Sequence, residues 1–154
     1  MPSKIDARLA ELGITLVDPP APEANYVPFV VSGSMVYVSG QVSRGPDGVI
    51  TGKLGAGTSV EAGAAAAATC AHQLLARLRT ACGGDLDRVR RVVKLTGFVN
   101  SAPDFTQQPQ VMNGCSDVLV AVLGEAGRHA RSAVGMAALP LGAVIEVEGV
   151  FEIA

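Results

Sequence analysis

Apolar and polar positions along the chain change period from one stretch to the next, and each change marks an element. Ile5, Leu9 and Leu12 recur at helical spacing behind Ser3, a good N-cap residue, with Gly13 after them. That pattern predicts a short helix from Lys4 to Leu12. The stretch Asp18-Pro-Pro-Ala-Pro-Glu23 cannot continue it and reads as an extended connector, because proline lacks the amide hydrogen a helix needs. Two short strands are predicted next, Val27–Ser32 and Met35–Ser39, joined across Gly33-Ser34 by a two-residue hairpin turn. Gly45-Pro-Asp-Gly48 and Thr51–Gly57 read as loops.

Thr58-Ser-Val-Glu61 has the form of a capping box, in which a threonine hydroxyl and a glutamate carboxylate satisfy orphan amides reciprocally. An alanine-rich run follows as far as Cys82, closed by Gly83-Gly84. Ala64, Ala68, Ala71, Leu75, Leu78 and Cys82 fall on one small, apolar face, which lets a helix lie close to a sheet. Val89–Asn100 is rich in β-branched residues and reads as a long strand, with Gly97 marking a bulge or a close backbone approach. Pro103 and Pro109 interrupt the next stretch, and a second helix is predicted over Val111–Leu123, ended by Gly124. Ala130–Met136 is a strand and Leu139-Pro-Leu-Gly142 a turn. In the last strand, Ala143–Ile153, Ile145, Val147, Phe151 and Ile153 point one way, and Glu146, Glu148 and Glu152 the other.

The resulting order is ββ–α–β–α–ββ: a single α+β domain over residues 25–154, preceded by a helical arm and Pro-rich connector over residues 1–24. Two helices cannot cover both faces of a sheet this wide, so both are expected on one face. A neighbouring subunit is then the expected cover for the other.

Composition sharpens this picture. In 154 residues, hydrophobic types make up 49% and charged types 17%, which excludes a disordered chain. No apolar run reaches the ~18 residues of a membrane span, so the apolar excess is expected inside protein, part of it between identical subunits. Twelve basic against 14 acidic residues give a net charge of −2, with no single-signed field to draw nucleic acid or an anionic membrane. Cys70, Cys82 and Cys115 are an odd number without CxxC spacing, so they signal neither a disulfide framework nor a zinc site. The N-terminal segment has no apolar leader core, and the cytoplasm is the default location.

Candidate chemistry lies at strand ends: Ser39-Gly40-Gln41, Arg131-Ser132 and Glu146. His72 and His129 have no metal-ligand spacing, and no nucleophile elbow or phosphate-binding loop is present. Ser39-Gly40-Gln41 after a hairpin, Arg131-Ser132-Ala133-Val134, and Leu139-Pro140 leading to Val144-Ile-Glu-Val-Glu148 together resemble the Rid, or YjgF-like, family. These are the reactive-intermediate imine and enamine deaminases, formerly called L-PSP endoribonucleases. Asn25-Tyr-Val-Pro28, Val111-Met-Asn-Gly-Cys-Ser-Asp117 and Gly127-Arg-His-Ala-Arg131 are more similar to a divergent branch of it.

The resemblance implies a chorismate-mutase-like subunit in a homotrimer, with sites in the clefts between subunits and no metal or cofactor. Its functional positions fall on Tyr26, Ser39, Asn113, Arg131 and Glu146. Arg131 is expected to clamp the carboxylate of a small imine or keto acid, since its planar fork matches a carboxylate bidentately. Glu146 is expected to activate water and protonate the leaving nitrogen. Ser39 would position the substrate, while Tyr26 and Asn113 shape the pocket. Ala133 stands where the prototypes often carry a cysteine, so no thiol is available there. Two other readings remain open. A trimeric module that binds small carboxylates without turnover would need Arg131 but not Glu146. RNA cleavage would draw on Arg77, Arg79, Arg88, Arg90, Arg91 and Lys94 as a basic patch, which the acidic balance and scarce aromatics disfavour.

Overall fold

A computed structural model describes residues 2–154. The arm helix α1 runs over Lys4–Glu11, with Ser3 Oγ accepting from the Asp6 amide as its N-cap. Leu9 is buried, and Ile5, Ile14 and Leu16 pack on the same core. Both carboxylate oxygens of Asp87 accept α1 amides, from Lys4 and Ile5, at 2.9 Å each. Those two bonds, with Ile5's the larger influence, hold the Asp87 carboxyl below the usual carboxylate range. The arm is therefore seated on the domain by apolar burial and by a borrowed cap at the helix N-terminus.

The main sheet is built from β1 (Phe29–Ser32), β2 (Met35–Val42), β5 (Val89–Asn100), β6 (Ala130–Met136) and β7 (Ile145–Ile153). They lie in the order β1-β2-β7-β5-β6, with β5 and β6 parallel and the other neighbours antiparallel. Alternation in β7 is as the sequence predicts: Ile145, Val147, Phe151 and Ile153 are buried, while Glu146 and Glu152 are half-buried and Glu148 is exposed.

α2 (Val60–Ala81) and α3 (Gln108–Leu123) pack against each other and on one face of this sheet. The opposite face carries Val30, Tyr37 and Val134, which are 52%, 49% and 40% exposed. Tyr37 pairs with both Val30 and Val150, so these apolar side chains share one row across three strands. The chain leaves this face without a covering layer, as the helix count anticipates.

Several boundaries differ from the sequence reading. The cap of α2 is Ser59, whose hydroxyl accepts from Ala62 N, whereas Thr58 Oγ1 accepts from Lys53 N instead. Thr58 braces the preceding loop, so the reciprocal box with Glu61 does not form. α3 starts at Gln108 rather than Val111, because proline is tolerated in a helix's first turn and Pro109 sits there. β1 starts two residues late, at Phe29, and β2 continues past Ser39 to Val42 through a register shift between Val38 and Gln41. Arg44–Gly45 (β3) and Gly48–Val49 (β4) pair as a minimal hairpin around Pro46-Asp47 within the expected loop.

The irregularities of β5 lie at Val89/Arg91 and Val92/Lys94, not at Gly97. Gly97 serves a close approach, since a Cβ there would fall 2.4 Å from Met112 Sδ on α3. The tightest helix contact is at Gly114, where a Cβ would sit 2.0 Å from the Ala64 carbonyl oxygen of α2.

Candidate functional site

The register shift in β2 is where the first half of the site is built. Ser39 and Gly40 occupy it, and the Gln41 side-chain Nε2 donates to the backbone carbonyl of Ser39 at 2.9 Å, fixing the turn from inside. Ser39 Oγ donates to the Val27 carbonyl at 2.7 Å, which ties the shift to the segment carrying Tyr26. Glycine at position 40 leaves room for Glu146, whose Oε1 lies 2.1 Å from where a Cβ would stand. Tyr26, Gly40, Gln41 and Glu146 line one cleft of about 230 Å3, closed on one side by Pro19–Pro22 of the connector. Burial pushes the Glu146 carboxyl up from its ordinary value, and the charge of Glu148 on the same sheet face adds to the rise. A carboxyl that holds its proton to higher pH suits a group that must both take and return one.

Arg131 belongs to a second cluster. It is half-buried at the start of β6, beside α3. Its Nη2 donates to the Pro109 carbonyl at 3.2 Å and its Nη1 to Ser116 Oγ at 3.0 Å. Asn113 is exposed and lies between them at helical spacing, so Pro109, Asn113 and Ser116 share one stripe of α3. Ser116 Oγ is also 2.9 Å from His129 Nε2, and a cavity of about 510 Å3 beside Arg131 is lined by Ser116, Asp117, Arg128 and His129. Among the described residues, Arg131 makes no ion pair.

The two clusters do not meet within one chain. On β5, Leu95 pairs with Arg131 and Phe98 pairs with Glu146, with regular register between them. Residues three apart on a strand face opposite ways, so Arg131 lies on the helix-bearing side and Glu146 on the open side. Of the five sequence candidates, Tyr26 and Glu146 line one cleft and Arg131 the other; Ser39 is next to Gly40 of the first and bound to the Val27 carbonyl, and Asn113 is on the stripe of α3 that carries Ser116.

Ser116 and His129 were not among the sequence candidates. The His129-x-Arg131 spacing carries a signal for one of them, because alternate residues of an extended segment share a side. Cys115 is buried beside this cluster; desolvation pushes its thiol up to about 12, with Arg131's charge acting against the rise, so it is no thiolate nucleophile.

Several members of the expected basic patch are engaged within the chain. Arg77 donates to the Pro20 carbonyl, Arg79 pairs with Asp18, and Arg88 is spent on the carbonyls of Cys82 and Ala154. Only Arg90, Arg91 and Lys94 of that set are left on β5 without such partners among the described residues. Also among the described residues, no group of three or more His, Cys, Asp or Glu is placed to hold a metal ion, and no helix is long and apolar enough to cross a membrane.

The α+β fold agrees with the family that the comparisons identify. Residues 6–153 match the family described as "YjgF/chorismate_mutase-like, putative endoribonuclease", and the chain belongs to it. Protein TCP17 of Trypanosoma cruzi is 50% identical over 152 residues, 97% of this chain and 94% of that protein. The crystal structure of Atu1372 from Agrobacterium tumefaciens, a protein of unknown function, is 47% identical with a TM-score of 0.89, covering 97% and 94% of the two chains. A Shewanella oneidensis protein described as an endoribonuclease of this kind superimposes with a TM-score of 0.92 at 31% identity, over 97% and 99%. RidA from Psychrobacter sp. is more distant, with a TM-score of 0.59 at 28% identity over 88% and 94%.

Proposed function

We propose that this chain is a subunit of a homotrimer that hydrolyses small 2-imino acids, or their enamine tautomers, to 2-keto acids and ammonia in clefts between subunits. The observation that carries this reading is the state of Arg131. Its guanidinium is steadied by two neutral acceptors and makes no ion pair among the described residues, so its charge is available to a carboxylate from outside the chain. The uncovered sheet face supports the assembly, because apolar side chains at Val30, Tyr37 and Val134 need a partner layer. A second subunit also supplies what one chain lacks: Arg131 and Asn113 of one protomer facing Tyr26, Ser39 and Glu146 of the next.

In such a cleft Arg131 holds the substrate carboxylate, with the C=N carbon beside it. Glu146 takes a proton from water as the oxygen adds to that carbon. It returns that proton to nitrogen to give the carbinolamine and then moves the hydroxyl proton to nitrogen in the same way, so that the C–N bond breaks, ammonia leaves and the carbonyl remains. Chain residues perform each step. The kinship with RidA supports the reaction class, and three unpaired cysteines, all buried, accord with a cytoplasmic setting.

The test is a coupled assay in which an amino-acid oxidase generates imino acids in situ and keto-acid release is followed. The expected result is acceleration over the spontaneous rate for at least one small substrate. Stabilisation by 2-oxobutanoate in thermal melts, without acceleration of any imine, would replace hydrolysis by carboxylate binding alone.

A further inference from the structure

Arg131 is held by a chain of hydrogen bonds for which the reaction itself makes no demand. Arg131 Nη1 donates to Ser116 Oγ at 3.0 Å, Ser116 Oγ lies 2.9 Å from His129 Nε2, and His129 Nδ1 lies 2.6 Å from the Gly127 carbonyl oxygen. A carbonyl oxygen only accepts, so Nδ1 carries the ring's hydrogen and Nε2 of the neutral ring is an acceptor. The Ser116 hydroxyl hydrogen is thereby committed to Nε2, and its lone pairs are left for Arg131.

The far end is anchored as well. A Cβ on Gly127 would fall 2.4 Å from the Leu119 carbonyl oxygen, so the turn that orients His129 lies directly against α3, the helix that carries Ser116. Serine, histidine and arginine are therefore referenced to one rigid element. A guanidinium fixed by a carboxylate would have its charge matched. This one is fixed by neutral groups, and Asp117, which lines the same cavity, makes no ion pair with it. Two of the five guanidinium N–H bonds are engaged, by Ser116 and the Pro109 carbonyl, and the rest are available to a ligand.

We propose that Ser116 and His129 are positioning residues that hold the Arg131 fork in one plane for a small 2-oxo or 2-imino carboxylate without neutralising its charge. The inference rests on the reading of Arg131 as the carboxylate clamp. The carboxylate does not react, so its contact with the fork is the same in ground and transition states. Loosening the fork therefore raises KM and spares kcat.

The test combines ligand binding, kinetics and the ring's tautomer. Ser116→Ala, which keeps good helix propensity, is expected to weaken 2-oxobutanoate binding in calorimetry about tenfold. KM should rise in parallel, with kcat within about twofold of wild type. Ser116→Thr restores the hydroxyl and should recover most of the affinity, while His129→Asn should behave like Ser116→Ala. Nitrogen NMR of the neutral ring should place the His129 hydrogen on Nδ1. Wild-type affinity in Ser116→Ala, or a hydrogen on Nε2, overturns the proposal. Imine hydrolysis in wild type with an unaffected Ser116→Ala variant would sink the positioning role and leave the deaminase reading standing. A tenfold loss of 2-oxobutanoate binding in Ser116→Ala, in a protein that hydrolyses no imine, would do the reverse. No binding of 2-oxobutanoate to wild type overturns both.

Discussion

Arg131→Ala should lower kcat/KM for keto-acid release by about a hundredfold or more while the protein still folds and assembles. The size follows from the contact being removed. A bidentate guanidinium–carboxylate pair makes two charge-assisted hydrogen bonds worth roughly 1.5–3 kcal/mol each, and ~3 kcal/mol of lost binding already exceeds a hundredfold. Folding is spared because the side chain is only half-buried at the edge of the sheet. Its two fixed partners, Ser116 Oγ and the Pro109 carbonyl, can take water in its place. Keto-acid release measured against substrate concentration, with the melting curve as control, checks both halves of the expectation. Activity within about twofold of wild type would remove Arg131 from the site.

Gly114→Ala should be the most damaging small substitution in the fold. The added Cβ would stand 2.0 Å from the Ala64 carbonyl oxygen, 2.6 Å from its carbon and 2.8 Å from Ala64 Cα. These are backbone atoms of α2, so no side chain can rotate away and the two helices must separate. Overpacking that a core can absorb costs about 1–3 kcal/mol, and a backbone clash belongs at the top of that range or above it. For a domain of this size that corresponds to a Tm lower by roughly 6–12 °C. The same substitution lifts α3, and with it Asn113 and Ser116, away from α2, so carboxylate binding should weaken together with stability. A melting curve within about 1 °C of wild type would contradict the helix contact.

How far the sequence discloses this molecule differs between fold and site. β7 is legible residue by residue, because one of its faces is buried and a period of two leaves no other register. α2 is legible as an element but not at its start: Thr58 and Ser59 are both capping types, and only the loop around Lys53 decides which hydroxyl is free to cap. Pro109 reads as a breaker in isolation and is a first-turn residue in context. Arg131 and Glu146 stand out in the sequence as candidates because they open short strand motifs that resemble those of the family. That they stand on opposite faces cannot be read there, since it depends on the pairing of both with β5. Ser116 and His129 are 13 residues apart on different elements, and neither has a distinctive neighbour pattern. Their contact exists only once α3 is laid against β6.

The central claim is that Arg131 and Glu146 act on one substrate from two different subunits. Co-expression of Arg131→Ala and Glu146→Gln chains, each strongly impaired alone at substrate concentrations well below KM, tests it directly. In mixed oligomers a cleft is intact when its arginine comes from a Glu146→Gln chain and its glutamate from an Arg131→Ala chain. Random assembly of equal amounts makes that about a quarter of all clefts, so keto-acid release should recover to about a quarter of the wild-type rate. Mixed oligomers no more active than the two separate variants would show that the pair does not act across subunits, and would contradict the account.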